Sequence, residues 1–207
     1  VSEMCISDRS ALGAGVLETR SVELAKNYDI PLYLGRTLSN VKGTWIMPRT
    51  EILEKKAVTG VALDTHMMHV TISYPLPDNR LLTQLFTALD EGSVNVDMIS
   101  QIVNVEGLQL SFSIKDSDVQ QISSILEELS TTFDALDYKI NEAYVKISLI
   151  GSGMRDMSGV ASKAFITLIN SNIPFYQTTT SEISISYVID AENGNKAVEV
   201  LYDAFDI

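Results

Sequence analysis

The sequence has one cysteine, Cys5, and two histidines, His66 and His69, in 207 residues. A lone thiol can neither close an internal disulfide nor join a thiolate cluster for zinc, and two histidines are too few for most histidine-based metal sites. Basic residues are also scarce: 15 Lys and Arg stand against 27 Asp and Glu, a formal net charge of -12. A phosphate-binding face needs clustered Lys and Arg, so nucleic acid is not an expected partner. Long apolar runs are missing too. Stretches such as Pro31 to Leu34 fall far short of the roughly 20 residues that cross a bilayer, so no membrane span is expected. The N-terminus shows no basic patch followed by an apolar run and a cleavage site, and no secretory signal is read. What is present is a chain 45% hydrophobic and 20% charged, enough for one large or two small domains with cores of their own. Composition predicts a soluble, reduced, cytoplasmic protein and leaves its function open.

Apolar spacing divides the chain into a leader and two similar parts. Residues 10 to 28 read as helical, with Leu12, Val16, Leu17, Leu24 and Ala25 on one face, followed by a buried strand from Ile30 to Leu34 and a short strand from Thr44 to Met47. Pro48 to Lys56 is poor in apolar residues and reads as a linker or surface helix. A boundary is placed near residue 50. Beyond it come a strand at His69 to Ser73, a helix from the cap Asp78 to Gly92, and a long strand from Val94 to Val105. Gly107 then turns the chain into Leu108, Leu110, Phe112 and Ile114, alternating with Gln109, Ser111 and Ser113, which predicts one wet face. A second helix follows the cap candidates Ser117 and Asp118, and Leu136 to Ile140 closes a β-α-β-β-α-β unit. The order restarts with a strand at Val145 to Ile150, the loop GSGMRDMSG, a helix, strands at Ile173 to Thr179 and Ile183 to Ile189, and a last helix. The second unit lacks its fourth strand.

Val58 to Leu63 is an apolar strand with no place in the first unit. It is expected to complete the second unit's sheet, so that the first unit is inserted into the second. Each would be a four-stranded antiparallel sheet with two helices on one face, a ferredoxin-like α+β fold. The expected bounds are 1–50 for the leader, 68–142 for the first unit, and 57–66 plus 143–207 for the second. The strand Val94 to Val105 has few charges, and an exposed edge of that kind tends to be paired, within the chain or across a dimer.

Few residues suggest chemistry. The loop Gly151 to Gly159 lies between strand and helix, where an anion could be received. It matches neither the Walker pattern nor G-x-G-x-x-G, because Asp156 stands at the last Gly. A turn requiring positive φ and a carboxylate-binding loop both remain open. His66 and His69 project to opposite faces, which disfavours a metal site, and Cys5 is expected to be a spectator thiol. Asn95, Asp97 and Gln101 are expected on one face at a strand start. Such a row offers an acceptor for an ammonium and amides for a carboxylate, as a zwitterionic amino acid needs; a solvated strand-end cap is the other reading. Thr178 to Glu182 occupies the corresponding strand of the second unit and carries the same two readings.

Several stretches, taken in order, resemble aspartokinase, the enzyme that phosphorylates aspartate at the head of lysine, threonine and methionine synthesis. They are VTGVALD (Val58 to Asp64), VNVDMISQ (Val94 to Gln101), VKISLIGSGM (Val145 to Met154), SGVASKAF (Ser158 to Phe165) and TSEISIS (Thr180 to Ser186). These resemble its paired regulatory ACT domains. GAGVLETRSVELAKNYDIPLYL (Gly13 to Leu34) and GTWI (Gly43 to Ile46) resemble the end of its kinase domain. The family's lysine-bearing Gly-rich catalytic motif has no match here, so the resemblance implies a regulatory fragment without catalytic residues, metal site or cofactor. ATP and Mg are expected for the full enzyme, and the missing kinase domain is an expected partner.

Carried over by position, the resemblance implies an effector pocket at Pro77, Asp78, Arg80, Leu81 and Leu82 and at Asn95, Val96, Asp97, Met98 and Gln101. Asp97 would take a ligand's amino group and the loop backbone its carboxylate. Thr180, Ser181 and Glu182 match a motif lining the neighbouring unit. Pro77 and Arg80 stand where many relatives have Asp and Gly, which makes Arg80 a candidate carboxylate partner. Glu18 and Thr19 replace a His-Pro pair common in the leader. The implied function is a homodimer, paired through ACT sheets, that binds lysine or threonine and inhibits the attached kinase. The alternative is a ligand-insensitive dimerisation scaffold.

Overall fold

The computed structural model describes residues 21, 24, 25, 28, 30–34, 44–46, 57–151, 154 and 157–207. The chain divides into two compact units: an outer one, Val1–Asp64 with Lys146–Ile207, and an inserted one, Thr65–Val145. Leu12, Val16, Leu17, Cys5 and the linker 48–56 lie outside the described residues. Ser21, Leu24 and Ala25 are helical, but only Ala25 is buried. The strand expected to be buried from Ile30 is short, β1 (Leu32–Leu34), and pairs antiparallel with β2 (Thr44–Ile46). Ile30 and Tyr33 are exposed: a two-stranded ribbon has no second layer of its own to cover both faces.

The inserted unit runs β4 (Met67–Tyr74), α1 (Asn79–Glu91), β5 (Asp97–Asn104), β6 (Gly107–Lys115), α2 (Val119–Thr132) and β7 (Asp137–Asn141), with strand order β5-β6-β4-β7. Leu81, Leu85 and Leu89 recur every four residues along α1 and are buried, as are Ile122, Leu126 and Leu129 along α2. Both stripes pack on Val70, Ile72, Leu110 and Phe112, which alternate onto one face of the sheet.

The helix ends correct two expectations. Gly92 is right-handed at φ -77, and the left-handed residue is Ser93 at φ 54, where Val94 N donates to Leu89 O (2.9 Å). That exit consumes residues 93–96, so the strand begins at Asp97 instead of Val94. Gly92 serves packing: a Cβ there would lie 3.0 Å from Gln121 Nε2 of α2. At α2, a 3-10 turn over Asp116–Asp118 precedes the helix, and Asp118 makes no side-chain cap bond. Its Oδ1 accepts from Ser117 Oγ instead, at 2.9 Å.

The outer unit repeats the plan with β8 (Tyr144–Ile150), α3 (Val160–Asn170), β9 (Phe175–Thr180), β10 (Ser184–Asp190) and α4 (Gly194–Phe205). Its fourth strand is β3 (Gly60–Asp64), paired antiparallel with β8 from Gly60↔Ile150 to Asp64↔Lys146, and the order is β3-β8-β10-β9. The orphan strand completes the sheet from before the insertion, as the sequence predicts. α3 leaves as α1 does: Asn172 is left-handed at φ 52 and Ile173 N donates to Leu168 O (3.0 Å).

The polar sheet faces are not wet throughout. Ser148 and Ser186 share a buried hydrogen bond of 2.7 Å, and Lys146, Gln177, His69 and Ser113 are buried as well. Small hydroxyls facing each other satisfy their polar groups without water, so these positions tolerate burial. No helix among the described residues is long and apolar enough to cross a membrane.

Candidate functional site

The loop between β4 and α1 is organised by Asp78. Its Oδ1 accepts from Arg80 N (2.9 Å), satisfying a free amide in the first turn of α1. The Arg80 guanidinium closes on the same carboxylate through Nε (3.1 and 3.0 Å) and Nη2 (2.6 Å). The hydrogen bonds from Arg80 hold the Asp78 carboxyl below the usual carboxylate range, and the same pairing raises the Arg80 guanidinium further. The carboxylate partner of Arg80 is thus its own neighbour, and the loop is locally neutral. Pro77 is exposed and Leu82 half-buried, whereas the Leu81 side chain belongs wholly to the core.

Across the unit, β5 opens on a bulge. Asp97 pairs with Ser113 and Ser100 with Ser111, so one extra residue lies between them. Met98 is left-handed at φ 49, its side chain is buried, and Asp97 Oδ1 accepts from Met98 N (2.8 Å). A non-glycine residue held left-handed is strained, and bulges of this kind re-aim side chains. The extra residue breaks the expected row. Asp97 leaves on the side of Ser113, while Gln101 pairs with Leu110 and leaves on the opposite face, where it is exposed at the sheet edge. Asn95 is exposed and Val96 packs partly on the core; both precede the strand. Alternation could not have shown the bulge, because only the pairing with β6 reveals it.

Register also separates the two groups of candidate residues. Asp97 is level with Ser113 and hence with His69 near the start of β4, whereas the Pro77–Arg80 loop follows Tyr74, which pairs with Leu108. Ser113 and Leu108 are five strand positions apart, about 17 Å. Within one unit the loop and Asp97 therefore occupy opposite ends of the sheet.

In the outer unit, Thr180, Ser181 and Glu182 lie in and beside the β9–β10 turn and are exposed. Ser181 Oγ accepts from Ser184 N (3.0 Å) and Ile183 N (3.3 Å) and shares a hydrogen bond with Ser184 Oγ (2.8 Å). The Ser-x-x-Ser spacing was the available signal for this turn. It occupies the end of the sheet that carries the glycine-rich loop, since Gly151 N donates to Ile183 O (2.8 Å). Gly159, at φ 88, does require the conformation glycine permits.

The histidines stay apart. His66 Nδ1 lies 3.0 Å from Asp116 Oδ2 at the surface, and His69 is buried with its ring edge-on to Tyr144, 5.5 Å between centroids. Among the described residues, no three His, Cys, Asp or Glu side chains gather as a metal site.

Comparison with known proteins places this geometry in context. The family model for the ACT domain matches residues 147–205. Aspartokinase 2 of Bacillus subtilis (strain 168) is 35% identical over 196 residues, covering 95% of this chain and 48% of that protein. The chain spans about half the length of the curated relatives it matches. A structure of aspartokinase alpha and beta subunits is 31% identical with a TM-score of 0.65, covering 72% of this chain and 99% of that one. The ligand-free regulatory subunit of aspartate kinase from Thermus thermophilus is 28% identical with a TM-score of 0.68, covering 72% of this chain and 99% of that one.

Proposed function

Because the chain belongs to the aspartokinase family and corresponds to its C-terminal regulatory region of ACT domains, we propose that it senses a feedback amino acid, lysine or threonine. In this reading the ligand favours one arrangement of paired ACT units and lowers the activity of the kinase to which they belong. ATP, Mg and aspartate are handled by the remainder of that enzyme, in the cytoplasm. The switch requires differential affinity for two arrangements, with a coupling of about 1 to 3 kcal/mol.

The observation that carries the reading is Asp97 on its strained bulge, at the far end of the sheet from the loop it would have to work with. The long strand β5 is an edge, with Ile99, Ile102 and Val103 exposed along it. Two copies of the inserted unit joined through antiparallel β5 strands would set Asp97 of one protomer beside the Pro77–Arg80 loop of its partner. Asp97 then receives the ammonium and the loop backbone the carboxylate, while Arg80, balanced by Asp78, adds no net charge against the ligand's other groups. Thr180, Ser181 and Glu182 are assigned to a second lining surface on the outer unit.

Calorimetry of the chain with L-lysine and L-threonine, separately and together, tests the proposal. At least one is expected to bind, and Asp97→Ala to weaken it tenfold or more, about 1.4 kcal/mol. A persistent dimer with no heat from either, whose melting temperature no biosynthetic amino acid raises, overturns the sensor and supports a dimerisation scaffold.

A further inference from the structure

The top of β8 is held from three sides. The Ile150 carbonyl accepts from both Thr59 N (2.7 Å) and Thr59 Oγ1 (3.2 Å). Gly151 N donates to Ile183 O in the β9–β10 turn (2.8 Å), and Gly151 O accepts from Met154 N in the glycine-rich loop (3.4 Å). The remaining side of Gly151 is filled by the segment that enters β3: a Cβ there would lie 2.0 Å from Ala57 O and 2.8 Å from Val58 Cα. Three stretches distant in sequence therefore meet at one buried glycine.

Two of them matter for regulation. The turn contains Ser181 and Glu182, and the Ser181 hydroxyl ties it into a compact knot with Ile183 and Ser184. The segment at Ala57 to Thr59 joins the leader to the sheet of the outer unit. At Gly151 the parts touch backbone to backbone, where no rotamer change can absorb a displacement.

We propose that Gly151 and Thr59 are positioning residues that couple the β9–β10 turn to the segment entering β3, so that a ligand held at Thr180 to Glu182 alters the path of the chain between leader and sheet. This rests on the regulatory reading above and gives it a physical route within one unit. A displaced turn moves Ile183 O, which moves Gly151 through its amide. Gly151 presses on Ala57, and Ile150 draws on Thr59.

Gly151→Ala would drive a methyl group into the Ala57 carbonyl and is expected to destroy this corner, so the test uses milder changes and no ligand. Hydrogen exchange is followed residue by residue in the full chain. Ser181→Ala, which removes the acceptor for two turn amides, is expected to speed exchange of the Gly151 and Thr59 amides at least fivefold, with Met67–Lys115 unchanged. Thr59→Val keeps the side-chain shape and loses the Oγ1 bond; it is expected to speed exchange of the Ser184 amide by a similar factor. Acceleration confined to residues 181–184 in the first variant, or to residues 57–60 in the second, overturns the coupling. Because no ligand enters these measurements, that outcome is distinguishable from a failure of lysine and threonine to bind.

Discussion

Tyr187 is fully buried in β10, edge-on to Phe165 and Phe175 at 5.4 and 5.5 Å between ring centroids, and its hydroxyl has no hydrogen-bond partner among the described residues. An unsatisfied buried hydroxyl is destabilising, so Tyr187→Phe is expected to leave stability equal or raise it by about 1 kcal/mol in urea denaturation. Burial pushes the Tyr187 phenol up to about 12. An unfolded tyrosine releases its proton near pH 10, so between about pH 10 and 12 the folded state binds more protons than the unfolded state. The stability linked to this group is complete below pH 10 and is lost as pH rises through that window. Tyr187→Phe should abolish that part of the alkaline slope. Asp78 behaves oppositely: its carboxyl is held low by Arg80, so its contribution is present above about pH 4 and fades as pH falls further. The Asp78 cap was legible in the sequence because capping is local. The buried hydroxyl of Tyr187 was not, because alternation places a side chain on a face without showing what meets its tip.

At the scale of elements, the helical stripes and strand alternation were legible, and the terminations were less so. Gly92 and Gly107 both read as turn glycines, yet only Gly107 uses glycine's freedom. It has φ 120, and a Cβ there would lie 2.1 Å from Tyr74 O, against φ -77 at Gly92, where the nearest atom is the flexible end of Gln121. Gly107→Ala is therefore expected to cost about 3 kcal/mol and Gly92→Ala distinctly less, compared by urea midpoints at constant slope. Equal losses would show that the β5–β6 turn is not strained in this way. The bulge at Met98 follows the same lesson. Nothing in VNVDMISQ signals an extra residue, because a bulge is a mismatch between two strands and belongs to neither sequence alone.

The chain divides into two compact units, and the inserted one has a hydrophobic core built from its own residues. Leu85 is fully buried among the residues of the inserted core, so Leu85→Ala is expected to cost about 2 to 5 kcal/mol there. Hydrogen exchange should accelerate across β4 to β7 before β8 to β10; simultaneous loss in both would mean that the units unfold as one. The sequence by itself determined the repeated order of elements, the orphan strand at Val58 to Leu63 and the insertion it implies, since these follow from periodicities written by neighbouring residues. Its ordered motifs also pointed to the aspartokinase regulatory region, to which the comparisons assign the chain. Only the tertiary structure decided that Asp97 and Gln101 part company, that Asp97 and the Pro77–Arg80 loop lie at opposite ends of one sheet, and that Arg80 folds back on Asp78. Those outcomes depend on strand register and side-chain geometry, which are set by partners distant along the chain.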